Sequence, residues 1–359
     1  MNLPDHGANP MRLYKQLGVE APSEIIDFSE NVHPFGPPSF IEESWLDLRE
    51  LISRYPDPDA EPFRSAAAAF HEVSVGHIAA GNGAAEIFTW LARRYREKRV
   101  VLIEPAFSEY RKTLEAEGAE INAVQLKVET GWRLPVAELA NAVEGCAAIY
   151  ICNPHNPTGL MVSKKDLVVL ADACQKADCE LVVDEAFIDF TGEENSVVSY
   201  LTRFSNLIIV RSMTKMYAIP GLRLGYVISA PPIIEALKSG AAHWNVNALS
   251  ASIGARCFSE HEYRDRIIQT AKKERAQMTG FLIAHGCAVT DSEVNFLSFQ
   301  LPVPKQSDKF FMDMLKNGIV LRQTKSFRGM DGQWFRIGMK SADAMKKLRE
   351  EIAKWLEEA

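Results

Sequence analysis

No apolar run in this chain of 359 residues approaches the ~18 residues of a membrane span. The start, Met1-Asn2-Leu3-Pro4-Asp5-His6, lacks the basic and apolar stretches of a secretory signal, so a cytoplasmic protein is expected. Positive charge is also short. Against 47 Asp and Glu stand 40 Lys and Arg, a formal net charge of -7, which removes any general attraction to nucleic acid or anionic lipid. A small anion must therefore be caught by a local arginine cluster. The six cysteines (146, 152, 174, 179, 257, 287) show no paired zinc spacing, so reduced core thiols are expected and no metal. Internal repeats, charge blocks and low-complexity linkers are absent, which excludes a solenoid or a tethered array.

What is present is an ordinary globular composition, 47% hydrophobic and 24% charged, long enough for two domains. From about residue 62 to 230, apolar strand-like runs alternate with helical patterns. Such alternation predicts an α/β fold, a mostly parallel sheet covered by helices on both faces. Gly221 to Ser229 adds a further short strand. Beyond it the pattern changes to α+β: a long helix from Glu260 to Ala284, strand-like runs at 294–299, 318–322 and 334–338, and a last helix from Ala342 to Glu358. That last helix puts Met345, Leu348, Ile352 and Trp355 on one stripe, the pattern of a docked surface helix.

Chemistry-bearing residues gather where the apolar runs end. Leu207-Ile208-Ile209-Val210 leads into a Ser212-Met213-Thr214-Lys215 turn, Glu180-Leu181-Val182-Val183 into Asp184-Glu185-Ala186-Phe187, and the run 147–152 into Asn153-Pro154-His155-Asn156-Pro157-Thr158-Gly159. Ligands of open parallel sheets collect at the carboxyl ends of strands. An amine, a carboxylate and an amide at three such ends are what pyridoxal phosphate (PLP) requires. Lys215 would join the aldehyde, Asp184 would keep the pyridine ring cationic, and Asn156 would hold the ring oxygen. A phosphate wants N–H groups at a helix start together with hydroxyls and a guanidinium. Gly81-Asn82-Gly83-Ala84-Ala85-Glu86, opening a helix from Glu86 to Arg96, would supply the first, and Ser212, Thr214 and Arg223 the rest. Glu86 stands where a dinucleotide fingerprint has its third glycine, which counts against a nicotinamide dehydrogenase.

The order Gly-Asn-Gly, Asn-Pro-His-Asn-Pro-Thr-Gly, Asp-Glu-Ala-Phe, Ser-Met-Thr-Lys and Gly221-Leu222-Arg223-Leu224-Gly225-Tyr226 resembles the fold-type I PLP-dependent aminotransferase superfamily over nearly the whole chain. Two branches are close, histidinol-phosphate aminotransferase and the threonine-phosphate decarboxylase of cobalamin biosynthesis. His6-Gly7-Ala8-Asn9 and Ile26-Asp27-Phe28-Ser29-Glu30-Asn31 are similar to decarboxylase segments, with Ala8 in place of a glycine and His33 where that branch often has asparagine. Phe187 stands where the aminotransferases usually carry a tyrosine that hydrogen-bonds PLP O3′.

The resemblance implies a large three-layer domain over 45–250, a small α+β domain over 251–359, and an arm, 1–44, that joins the small domain and a dimer contact. It also implies a homodimer with shared sites, Tyr55 reaching the phosphate of the other subunit. Read without it, Tyr55 is a partly buried aromatic beside prolines. Phe107 aligns with the aromatic that stacks on the pyridine ring, with Tyr110 as a neighbour, although either residue type at a strand exit also suits a core. Arg336 matches the arginine that holds the substrate carboxylate, a task for its bidentate fork. Arg322, His6 and Asn31 look like the group that holds a second anion, so a small phosphorylated amino acid is the expected substrate. The reaction implied is decarboxylation of threonine phosphate. Alternatives are an aminotransferase acting on histidinol phosphate or another amino acid, and a PLP-fold binding module without turnover. Residue types leave open which bond at the substrate Cα breaks, and whether Lys215 or a water returns the proton.

Overall fold

The computed structural model describes residues 4, 6–303 and 306–358; Met1, Asn2, Leu3 and Asp5 of the amino-terminal stretch lie outside the described residues. Seven strands make the large sheet: β1 (Ile78–Gly81), β2 (Arg99–Glu104), β3 (Glu120–Gln125), β4 (Ala148–Cys152), β5 (Glu180–Asp184), β6 (Leu207–Ser212) and β7 (Gly225–Ser229). Their order is β1-β7-β6-β5-β4-β2-β3. All pair in parallel except β7, which runs antiparallel to both β1 and β6. The sheet is thus mostly parallel and mixed, as the alternating pattern predicted.

Neighbouring residues of the central strands enter two different cores, because successive side chains of a strand point to opposite faces. Val101, Ile149, Ile151, Leu181, Val183 and Ile209 pack on one face, with the helices Phe63–Phe70, Lys164–Lys176 and Ala248–Cys257. Val100, Leu102, Tyr150, Val182, Ile208 and Val210 pack on the other, under Ala84–Arg94, Ser108–Ala116 and Pro231–Lys238. Continuous apolar runs are the consequence of this double burial.

A second sheet is antiparallel throughout, in the order Arg322–Gln323, Trp334–Gly338, Phe296–Gln300, Ala288–Val289. The helices His261–Ala284, Ser307–Lys316 and Ala342–Glu358 accompany it. Met345, Leu348, Ile352 and Trp355 are all buried here, and each such side chain is worth about 1.5–3 kcal/mol over its exposed state. Leu13, Tyr14 and Phe28 of the arm share this core, and Ile26–Asp27 pairs in parallel with Ile319–Val320. Two ends of the chain are in this way brought together beside the carboxyl ends of β4, β5 and β6. All six cysteines are buried and free.

Candidate active site

The loop after β1 makes the floor of a cavity. Gly83 has φ 79° and ψ 161° and caps the helix Ala84–Arg94, whose first N–H groups have no intrahelical acceptor. A Cβ at Gly83 would lie 2.5 Å from Arg223 Nη2, and one at Gly225 would lie 2.5 Å from the Ala84 nitrogen. Two missing methyl groups therefore let a guanidinium and a helix start converge. Glu86, rather than leaving room for a dinucleotide, folds back: its Oε2 accepts from the Asn82 N–H (2.6 Å) and from Asn245 Nδ2 (2.8 Å). Ser212 Oγ and Thr214 Oγ1 stand 2.9 Å apart beside this floor. Ser212 closes strand β6 instead of opening the turn, because its pairing with Gly225 continues the ladder.

Lys215 Nζ donates to Thr214 Oγ1 (2.8 Å) and Ser212 Oγ (3.3 Å). Burial brings its ammonium down to about 8; Arg223 and Arg336 push the same way, against the attraction of Asp184. Asp184 ends the adjacent strand. Its Oδ1 accepts the Ala186 N–H (2.9 Å), and its Oδ2 accepts from the Tyr110 hydroxyl. Burial raises this carboxyl, while the bonds from Tyr110 and Ala186 and the charge of Lys215 oppose the rise. Phe187 presents a bare ring 5.8 Å from Lys215 Nζ.

The facing wall comes from the arm and the small sheet. Arg336 Nη1 donates to Asn156 Oδ1 (2.6 Å) and Nη2 to the Ser29 carbonyl (2.9 Å), while its Nε is buried without a partner among the described residues. Burial and the nearby Arg322 bring this guanidinium down to about 9. With Oδ1 taken, Asn156 offers its Nδ2 as a donor. Arg322 donates to Ser326 Oγ (2.6 Å) and to the Pro4 carbonyl (3.0 Å). His6 Nε2 lies 3.0 Å from Glu109 Oε1, its ring tilted 5.6 Å from that of Phe107.

His6, Asn31, Gly83, Ala84, Phe107, Asn156, Asp184, Ser212, Thr214, Lys215, Arg223, Arg322 and Arg336 all line one cavity of about 220 Å³. Tyr55 does not. It is 83% exposed and leans on Trp244, with ring centroids 5.0 Å apart. Three contributors escaped sequence reasoning: the Tyr110 hydroxyl, the Ser29 carbonyl and Ser326. Tyr110 alone had a signal, one helical turn beyond Phe107. Beneath the cavity, Arg211 and Glu185, the residues just before Ser212 and just after Asp184, form a buried ion pair (3.2 Å). Ser196 Oγ (2.7 Å) and the Val197 N–H (2.9 Å) complete the Glu185 carboxylate, which burial pushes up to about 7. The pair ties the end of β6 to the residue that follows β5.

The donors fit PLP: a helix start, two hydroxyls and a guanidinium for a phosphate, a buried carboxylate for a pyridinium, and an amine of lowered basicity for an aldehyde. Residues 23–352 match the family model described as aminotransferase class I and II. The threonine-phosphate decarboxylase of Salmonella typhimurium is 30% identical over 345 residues, which cover 96% of this chain and 94% of that protein. The histidinol-phosphate aminotransferase of Shouchella clausii is 29% identical over 312 residues, covering 86% and 83%. The fold is shared with a histidinol-phosphate aminotransferase from Sinorhizobium meliloti solved in complex with pyridoxal-5'-phosphate, at a TM-score of 0.86 and 20% identity, covering 98% of this chain and 95% of that one. The chain belongs to the class I and II aminotransferase family, whose cofactor is pyridoxal phosphate.

Proposed function

We propose that this chain decarboxylates L-threonine O-3-phosphate, giving (R)-1-amino-2-propanol O-2-phosphate for cobalamin biosynthesis. The observation that carries the reading is the pair of buried arginines, Arg336 and Arg322, on the wall that faces Lys215, with His6 and Asn31 beside them. Two cations suit a substrate with two anions. Arg336, with an unpartnered Nε, takes the carboxylate; Arg322, His6 and Asn31 take the phosphate, which rewards several charge-assisted hydrogen bonds. Phe187 and the similarity to the Salmonella decarboxylase support this choice over histidinol phosphate.

Bound PLP supplies an electron sink for the pair released when a bond at the substrate Cα breaks. The protein decides which bond that is. Arg336, braced by Asn156 and Ser29, would bind the substrate carboxylate and fix its orientation, and decarboxylation follows if that orientation favours release of CO₂. Asp184, fixed by Tyr110 and Ala186, would keep a proton on the ring nitrogen. Lys215, whose ammonium burial makes less basic, would hold at Nζ the proton that returns to Cα. Phe107, which lines the cavity, would stack on the ring and keep water from that face. Transamination is the second reading, favoured by similarity to the Shouchella aminotransferase; it would need the carboxylate held in plane and Lys215 to remove the Cα proton.

On the same reading, a second copy of the chain would receive Tyr55, exposed here beside Trp244, at its own phosphate cradle. The test of function is direct. Holoenzyme is incubated with O-phosphothreonine, and CO₂ and aminopropanol phosphate are measured; release of a 2-oxo acid with no CO₂ rejects the decarboxylase reading.

A further inference from the structure

Between the arm and the Lys215 turn stands a buried histidine for which the reaction has no direct use. His33 Nδ1 accepts the Phe35 N–H (3.3 Å), the bond from residue i+2 that an asparagine carbonyl accepts in an Asx turn. The imidazole proton is therefore on Nε2, which donates to the Met216 carbonyl at 2.9 Å. Tyr263 Oη lies 2.9 Å from the same nitrogen and donates to the Gly36 carbonyl at 2.7 Å. The Tyr263 ring in turn lies parallel to that of Tyr217, at 6.2 Å and 12°. Residues 216 and 217, the two that follow Lys215, are both gripped. An asparagine at position 33 would keep the turn, but its amide ends where Nδ1 ends and falls short of Met216.

The residues just before His33, 28–32, are tied to the carboxyl-terminal part. Val320 accepts from the Phe28 N–H (2.9 Å), Arg336 donates to Ser29 (2.9 Å), Asn295 to Asn31 (2.7 Å) and Lys340 to Val32 (2.7 Å). His33 is where the arm meets the turn that carries the amine. We propose that His33 is a positioning residue that fixes the substrate-facing arm to the Lys215 turn, and so sets the distance between Lys215 and the Arg336–Asn31 wall. The inference rests on the substrate reading above. Small displacements of such a wall cost rate steeply, because the reacting bond must be aligned as well as near.

The test uses holoenzyme carrying His33→Asn or His33→Gln. The first keeps the acceptor for Phe35 and loses the donor to Met216; the second restores a donor of imidazole reach. Affinity for O-phosphothreonine is read by titrating the cofactor absorbance, and order in the arm by hydrogen–deuterium exchange over residues 28–36. We expect His33→Asn to weaken phosphothreonine about fivefold and to speed arm exchange by a similar factor, with His33→Gln close to the parent. A lowered melting temperature with affinity and arm exchange both unchanged would make His33 a structural residue and overturn the proposal. A parent enzyme that gives no response to phosphothreonine counts against the substrate reading instead. Exchange then decides for His33: faster in His33→Asn supports the tie, and equal to the parent overturns it.

Discussion

Gly83→Ala puts a methyl group where Arg223 now lies. The ideal Cβ falls 2.5 Å from Arg223 Nη2 and 3.1 Å from Cζ, while φ 79° with ψ 161° is a backbone region open essentially to glycine alone. Two costs follow, and they separate by experiment. Backbone strain, about 1–3 kcal/mol, is present with or without cofactor and lowers the melting temperature of the apoprotein. Displacement of the guanidinium acts chiefly on a bound phosphate. A charge-assisted hydrogen bond is worth about 1.5–3 kcal/mol, which weakens PLP about 10- to 150-fold. The assay is a fluorescence titration of apoprotein with PLP for the parent, Gly83→Ala, Arg223→Ala and the double variant. Because both changes remove the same contact, the double variant should bind PLP about as weakly as Arg223→Ala alone. Parental affinity in Gly83→Ala, or fully additive losses in the cycle, would refute the cradle as described.

Lys215→Ala should remove the covalent attachment and essentially all turnover; borohydride, which fixes the cofactor at position 215 in the parent, should leave the variant unmodified by mass spectrometry. Arg322→Ala should weaken phosphothreonine by about 1.5–3 kcal/mol more than unphosphorylated threonine, and equal losses would argue against a phosphate contact. Burial lowers His33 to about 4, His71 to about 3 and His155 to about 4. The folded state therefore refuses protons that the unfolded chain accepts below about pH 6.5, so stability falls as pH falls from about 6.5 toward 4, on the order of 3 kcal/mol per histidine. Urea denaturation at pH 7 and pH 5 reads this directly, and His155→Gln should flatten part of the slope.

The sequence exposed this site because parallel strands buried on two faces read as apolar runs, and each run stops abruptly at a residue that carries chemistry. Asp184, Asn156 and Lys215 were visible for that reason. Gly83 was visible because backbone geometry demands a residue without a Cβ. What stayed hidden were bonds between distant segments. Tyr110 reaches Asp184 across 74 positions and Arg336 reaches Ser29 across 307, the latter to a backbone carbonyl that every residue type provides. His33 was noticed as a departure from asparagine, yet the donor it adds has meaning only once Met216 lies beside it.

The cavity residues proposed to hold PLP come from one unbroken stretch, Gly83 to Arg223, whereas those proposed to meet the amino acid come largely from before residue 32 and after residue 321. On that proposal, chemistry and selectivity are written in different parts of the polypeptide. Exchanging the two ends for those of a relative would retune which amine is accepted, and even its fate, without touching the machinery that holds the vitamin.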